Sequence, residues 1–136
     1  MREILFRGKR KDNGEWVEGC LHFQWGETTN DGRATKDAYI LGMRGEVAEV
    51  DPETVGQYTG MNDKNGKWIF EGDILVIRNC REHPVLVKFI EFSWQCVIPN
   101  VNAYIHYRHR LENNYTKYEV IGNIHDNPEL LEDPNV

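Results

Sequence analysis

The sequence predicts an all-β protein with one or two short helical turns. It is read as a single domain over residues 1–136: an N-terminal hairpin region, 1–57, and a barrel-like part, 58–136, of the small SH3-like kind. Three observations predict this. First, one motif is written twice. Phe6-Arg7-Gly8 leads to Asn13-Gly14-Glu15-Trp16-Val17-Glu18-Gly19, and Tyr58-Thr59-Gly60 leads to Asn65-Gly66-Lys67-Trp68-Ile69-Phe70-Glu71-Gly72. Each copy runs aromatic, one residue, Gly, four residues, Asn-Gly, one residue, Trp, a β-branched residue and Glu-Gly, with Phe70 the one insertion. Asn-Gly between short extended runs is a strong hairpin signal, because a two-residue turn needs positive φ at both central positions. Second, 12 glycines and 15 aromatic residues (4 Trp, 6 Tyr, 5 Phe) against 5 prolines favour strands and turns. Third, no helical period of ten or more residues occurs, whereas extended runs recur between turn signals.

The elements follow in order. Residues 2–7 and 16–23 form the arms of the first hairpin. In the second arm Trp16, Glu18, Cys20 and His22 lie on one side, and Val17, Leu21 and Phe23 on the other, the period of a strand with one buried face. Residues 26–37 are polar and rich in turn formers, an exposed loop or the tip of a long hairpin. Tyr39-Ile40-Leu41 is a short strand, and Gly42 to Gly45 a turn. Val50-Asp51-Pro52-Glu53-Thr54-Val55 is a helical turn, with Asp51 capping and Pro52 at the first position. After the second motif copy, Glu71 to Arg78 is a strand that 79–84 connects to the next. Val85 to Phe92 and Trp94 to Ile98 are β-type, with Ser93 a bend or bulge. Tyr104 to Leu111 and Tyr115 to Ile124 are the last strands. Asp126 to Glu132 closes with a second Pro-initiated helical turn, capped by Asn127. A Gly-Asp pair entering the strand at Gly72-Asp73 suits a tight barrel, where strands bend at glycine.

At 136 residues the chain is long enough for one real core. Its formal net charge of -6 is the opposite of the basic balance typical of phosphate-dominated nucleic-acid binders. No run approaches 18 apolar residues, so no membrane span is expected. The opening residues, charged on both sides of a tiny apolar run, do not read as a signal peptide. Three cysteines (Cys20, Cys80, Cys96) form no close pair, which fits a reducing cytoplasm and free thiols buried as small hydrophobes.

Little in the sequence carries chemistry. His106 and His109 would share a face on a helix; the strand pattern sends them to opposite faces, so they read as structural or surface histidines. Cys80 and His83 have a spacing that suits zinc, but no second pair follows. There is no nucleophile elbow, no phosphate loop and no cysteine-protease motif. Asp73 reads as a turn residue accepting a backbone hydrogen bond rather than as a base. No catalytic residue, metal or cofactor is therefore assigned. The best binding candidate is the strand carrying Tyr104, His106, Arg108 and Arg110 on one face, where rings can stack bases and arginines meet phosphates. A second basic cluster is Arg7, Lys9, Arg10 and Lys11. Against both stand solvation, pairing with acids such as Glu119, and the net charge. Trp16 and Trp68 read as hairpin core anchors, or as an aromatic patch for a partner.

The chain resembles the YopX-like proteins, small proteins of bacteriophages and of prophages in Gram-positive hosts. Four segments carry the resemblance: Met1 to Gly8, Asp51 to Tyr58, Tyr58 to Ile74, which continues the second without a break, and Glu119 to Leu131. Loops 26–37 and 78–84 depart from it. The resemblance implies a mainly β fold with a barrel-like part, and no established activity, catalytic residue or cofactor. Together with the residues it leads to an expectation: a non-enzymatic protein-binding or self-assembling module in the host cytoplasm, not at a membrane. The alternative is a single-stranded nucleic-acid binder.

Overall fold

The structure, a computed structural model, describes residues 3–28, 31–32, 34–77, 84–97, 108–110 and 117–132. Its strands are β1 (Phe6–Lys9), β2 (Trp16–Thr28), β3 (Ala34–Gly42), β4 (Val47–Val50), β5 (Gly56–Asn62), β6 (Trp68–Phe70), β7 (Asp73–Ile77), β8 (Val85–Ile90), β9 (Ser93–Val97), β10 (Arg108–Arg110) and β11 (Tyr118–Asn123). Helical structure among the described residues is limited to single 3-10 turns, so the all-β expectation holds. Two compact units, Met1–Tyr58 and Thr59–Val136, divide the chain within β5.

In the first unit the antiparallel order is β4-β3-β2-β1-β5. Alternation on β2 buries Val17 and leaves Glu18 and Cys20 exposed. Val17, Ala38, Ile40, Ala48 and Val50 make the core, with Phe6, Leu21 and Val55 packed on it. The sheet curls so that its first and fourth strands meet at one end. Arg10 bridges Val50, Lys11 N donates to Glu49 O (3.0 Å), and Asp51 N donates to Lys9 O (2.9 Å). Two motif glycines permit this curl. A Cβ on Gly8 would lie 2.9 Å from Val50 Cβ, and one on Gly19 would lie 1.9 Å from Leu41 O. The 3-10 turn Pro52–Thr54 follows as expected, Asp51 Oδ1 accepting from Glu53 N at 3.1 Å. The strand Val47–Val50, not anticipated from sequence, buries Ala48 and Val50 and exposes Val47 and Glu49.

In the second unit β10-β9-β8-β7-β11 form an antiparallel sheet, and the last residues of β5 turn into β6. Ile69, Leu75, Val85, Val87, Trp94, Cys96 and Tyr118 form the core, and truncating one of its fully buried aliphatics, such as Leu75, to Ala costs about 2–5 kcal/mol. The barrel expected here is an open sheet among the described residues, with β10 and β11 as its edges. Asp73 does what its sequence position implied: Oδ2 accepts from Phe70 N at 2.8 Å, holding the bend into β7.

The two motif copies turn the chain differently, and neither uses a two-residue turn. In the first, Arg10 N donates to Glu15 O and Gly14 N to Arg10 O, leaving four residues in the loop. In the second, Asp63 N donates to Lys67 O and Gly66 N to Asp63 O, leaving three. Only the glycines take positive φ (Gly14 72°, Gly66 82°); the asparagines do not. The reason is local. Asn13 Oδ1 accepts from Glu15 N, and Asp63 Oδ1 accepts from Asn65 N and Lys67 N, so side-chain oxygens shape the turns. The two-residue turn with two positive φ values falls instead at Glu91 (52°) and Phe92 (63°), between Ile90 and its partner Ser93. At the C-terminal end the 3-10 turn Pro128–Leu131 forms, but Asn127 does not cap it; its Oδ1 accepts from Asn123 N instead.

Candidate functional site

The basic cluster of the first hairpin is brought together only in part. Register places Arg7 opposite Glu18 and Lys9 opposite Trp16, on the face away from Val17. The Arg7 guanidinium sits 4.7 Å from the Trp16 ring centroid and is buried; Lys9 Nζ sits 5.6 Å from the same ring. Trp16 is therefore half-buried as a stacking platform for two cations rather than as a core anchor, and Val17 holds the core position. Trp68 is likewise half-buried, tilted on Phe70 at 6.4 Å, while Ile69 enters the core.

Arg10 and Lys11 turn away from that platform to acids. Arg10 Nε and Nη2 grip Asp12 Oδ1 and Oδ2 (3.0 and 2.8 Å), and Lys11 Nζ meets Glu49 Oε1 at 3.1 Å. The hydrogen bond from Arg10 holds Asp12 below its usual range, and Asp12 and Glu49 in turn raise the pKa of Arg10 and of Lys11. An open cleft of about 540 Å³ beside Trp16 is lined by Met43, Arg10, Arg44, Glu15, Glu18 and Glu46. Three glutamates against two arginines give this cleft no preference for an anion.

The C-terminal candidate is placed by register alone. Arg108 pairs Val97 and Arg110 pairs Gln95, while His109 pairs Cys96. Gln95 in turn pairs Lys88, so Arg110, Gln95 and Lys88 form one row across β10, β9 and β8. Tyr104 and His106 lie outside the described residues, as do Cys80 and His83. Among the described residues no three potential metal ligands cluster. Cys96 is buried as expected; Cys20 is exposed, because it sits on the outer face of β2.

The most conspicuous surface is one that sequence reasoning missed. The ladder of β2 with β1 ends at Gly19, and that of β3 with β4 ends at Ala38, yet β2 and β3 stay paired through Phe23–Ala38, Gln24–Asp37 and Trp25–Lys36. The two strands thus run on as a two-stranded arm. Its Phe23 (38% exposed) and Trp25 (66% exposed) continue the row of buried Val17 and half-buried Leu21 past the end of the core. Lys36 Nζ lies 3.7 Å from the Phe23 centroid and 5.5 Å from that of Trp25. Alternation assigned Phe23 to a buried face. The signal that could have corrected this is length: the apolar row outlasts the neighbouring strands able to cover it.

Comparison with known proteins gives a match between residues 5–132 and the family described as YopX protein. This chain belongs to the YopX protein family. The crystal structure of protein EF1440 from Enterococcus faecalis is similar to it: 25% identical, covering 97% of this chain and 100% of that one, with a TM-score of 0.56. No curated protein matches. The YopX-like segments quoted from the sequence have structural work in this fold. Gly8 gives β1 room against Val50, Asp51 caps a turn, Asp63 organises the second hairpin, and Asn123 Oδ1 accepts from His125 N and Asp126 N.

Proposed function

We propose that this YopX protein is a phage or prophage protein that acts in the bacterial cytoplasm as a non-enzymatic protein-binding module. The observation that carries the reading is the β2–β3 arm. A lone two-stranded hairpin is marginal in water, and one that exposes two aromatic rings gains most by being covered. An arm with free edges suits recognition by strand addition, in which main-chain bonds give affinity and side-chain pockets give specificity. The occupation of the motif residues by structural roles supports a non-catalytic reading. No helix among the described residues is long and apolar enough to cross a membrane. The test is a photo-crosslinking residue at position 25 in cells carrying the phage or prophage. Protein adducts formed from position 25, and not from the exposed position 12, are expected; adducts to nucleic acid alone, or none, would overturn the proposal.

One observation favours a second reading. Register brings the positions of Arg108 and Arg110 on β10 near that of Lys88 on β8, across the buried Gln95, and basic residues grouped in this way could meet the phosphates of a single strand of nucleic acid. Anisotropy with labelled oligonucleotides at low salt decides it. Binding that Arg108→Ala plus Arg110→Ala removes supports the reading, and a flat titration ends it.

A further inference from the structure

We infer that the free edge of β2, over His22–Gly26, pairs antiparallel with the same segment of a second copy of this chain, about a two-fold axis through Gln24. This rests on the reading of the arm as a protein-binding element and names its partner. The hydrogen-bond alternation fixes which groups are on offer. Arg10 N donates to Glu15 O, so along β2 the odd-numbered residues face β1 and the even-numbered ones face β3. The ladder with β1 stops at the Phe6–Gly19 pair, and the Leu5 carbonyl is taken by Tyr58 N at 2.7 Å. Beyond that point the N–H and C=O groups of Leu21, Phe23 and Trp25 therefore face outward along an edge that no described strand pairs.

Three features select a second copy as the occupant. Edges are normally blocked by charge, proline or a bulge. From Cys20 to Gly26 this edge carries no acid, lysine, arginine or proline, and the register shift comes only after Trp25. The segment is self-complementary about Gln24: Phe23 of each copy lies opposite Trp25 of the other, His22 opposite Gly26, and Gln24 opposite Gln24, with no like charges facing. The alternation agrees with that register. Phe23 and Trp25 become hydrogen-bonded pairs through the groups they already point outward, and the Gln24 pair is the close, non-hydrogen-bonded kind. Both rings of each copy come to one face, where aromatic cross-strand pairs are favourable.

Sedimentation of the full chain from low to high micromolar concentration tests this, beside two variants. Wild type is expected to shift from monomer to dimer. Gln24→Lys keeps a favourable cross-strand neighbour in Asp37 but sets two lysines against each other on the axis, so its dimer constant should weaken roughly a hundredfold or more. In a Cys20→Ser background, Gln24→Cys should oxidise to a linked dimer, since close cross-strand pairs lie within disulfide reach, and Met43→Cys should not. A monomer at every concentration, a dimer indifferent to Gln24→Lys, or no selective linkage through position 24 would each overturn the inference. If the chain is monomeric and position 25 still crosslinks a different protein, the self-pairing falls and the binding-module reading stands. If it is monomeric and position 25 crosslinks nothing, both fall.

Discussion

Asp63 Oδ2 accepts a hydrogen bond from Val120 N at 3.0 Å, across 57 residues of sequence. The other oxygen of the same carboxylate takes Asn65 N and Lys67 N at 2.8 and 2.9 Å. One buried side chain thus shapes the β5–β6 turn and ties it to β11, beside a second tie from Lys64 N to Tyr118 O at 2.9 Å. Hydrogen bonds to a charged group contribute about 1.5–3 kcal/mol each, although such values do not simply add. Asp63→Ala should therefore lower stability by about 3 kcal/mol or more in chemical denaturation. Asp63→Asn should recover part of this, since an amide keeps one acceptor oxygen and turns a donor toward the remaining N–H. A loss below about 1 kcal/mol for Asp63→Ala would mean the carboxylate is not the joint described.

The motif glycines are predicted to rank by what surrounds them. Gly19→Ala drives a methyl into the Leu41 carbonyl and should cost about 3 kcal/mol or more. Gly8→Ala meets the Val50 side chain, which can shift, and should cost less. Gly14→Ala meets nothing within 4 Å and is penalised only by its φ of +72°, about 1 kcal/mol. Thermal unfolding of the three variants measures the order; equal effects would contradict it.

Glu91 and Phe92 occupy positive-φ positions that disfavour side chains, and Phe92 is 97% exposed, so it packs on nothing that its loss would empty. Replacing the pair by Asn-Gly should stabilise the protein by about 1 kcal/mol. Destabilisation by that substitution would show that the two side chains hold the turn.

Burial pushes the Cys96 thiol up to about 11 from an ordinary 9.0, and raises the Tyr118 hydroxyl beside it as well. The folded chain thus keeps these protons at pH values where the unfolded chain has released them. The Cys96 contribution is fully present below pH 9 and is lost as pH rises towards 11, while that of Tyr118 is fully present below pH 10 and is lost only at higher pH. Unfolding free energy should fall across that window, and Cys96→Ala should flatten the fall while lowering stability at neutral pH. At pH 8 a thiol reagent should modify exposed Cys20 before Cys96. A flat profile up to pH 11, or equal labelling, would contradict this environment.

What the sequence made legible was mostly local. The alternation at Val17, the Asp51-Pro52 turn and the bend held by Asp73 follow from short-range chemistry, and each stands in the structure. The turn types did not follow from the dipeptide, because Asn13 and Asp63 bond backbone groups two residues on and change the loop length. Val47–Val50 was hidden because its pairing with β3 and its bridge to Arg10 are set by distant residues. The role of Trp16 depended on Arg7 and Lys9 reaching its outer face. The exposure of Phe23 and Trp25 depended on where two other strands stop, which periodicity within β2 does not encode.

Amide hydrogen exchange along β2, followed against protein concentration, tests the account most directly. Phe23 and Trp25 should exchange fast when dilute and slow when concentrated, while Val17 and Gly19, already laddered to β1, stay protected throughout. Slow exchange at all four positions in dilute solution, or fast exchange at Phe23 and Trp25 however concentrated the sample, would contradict it.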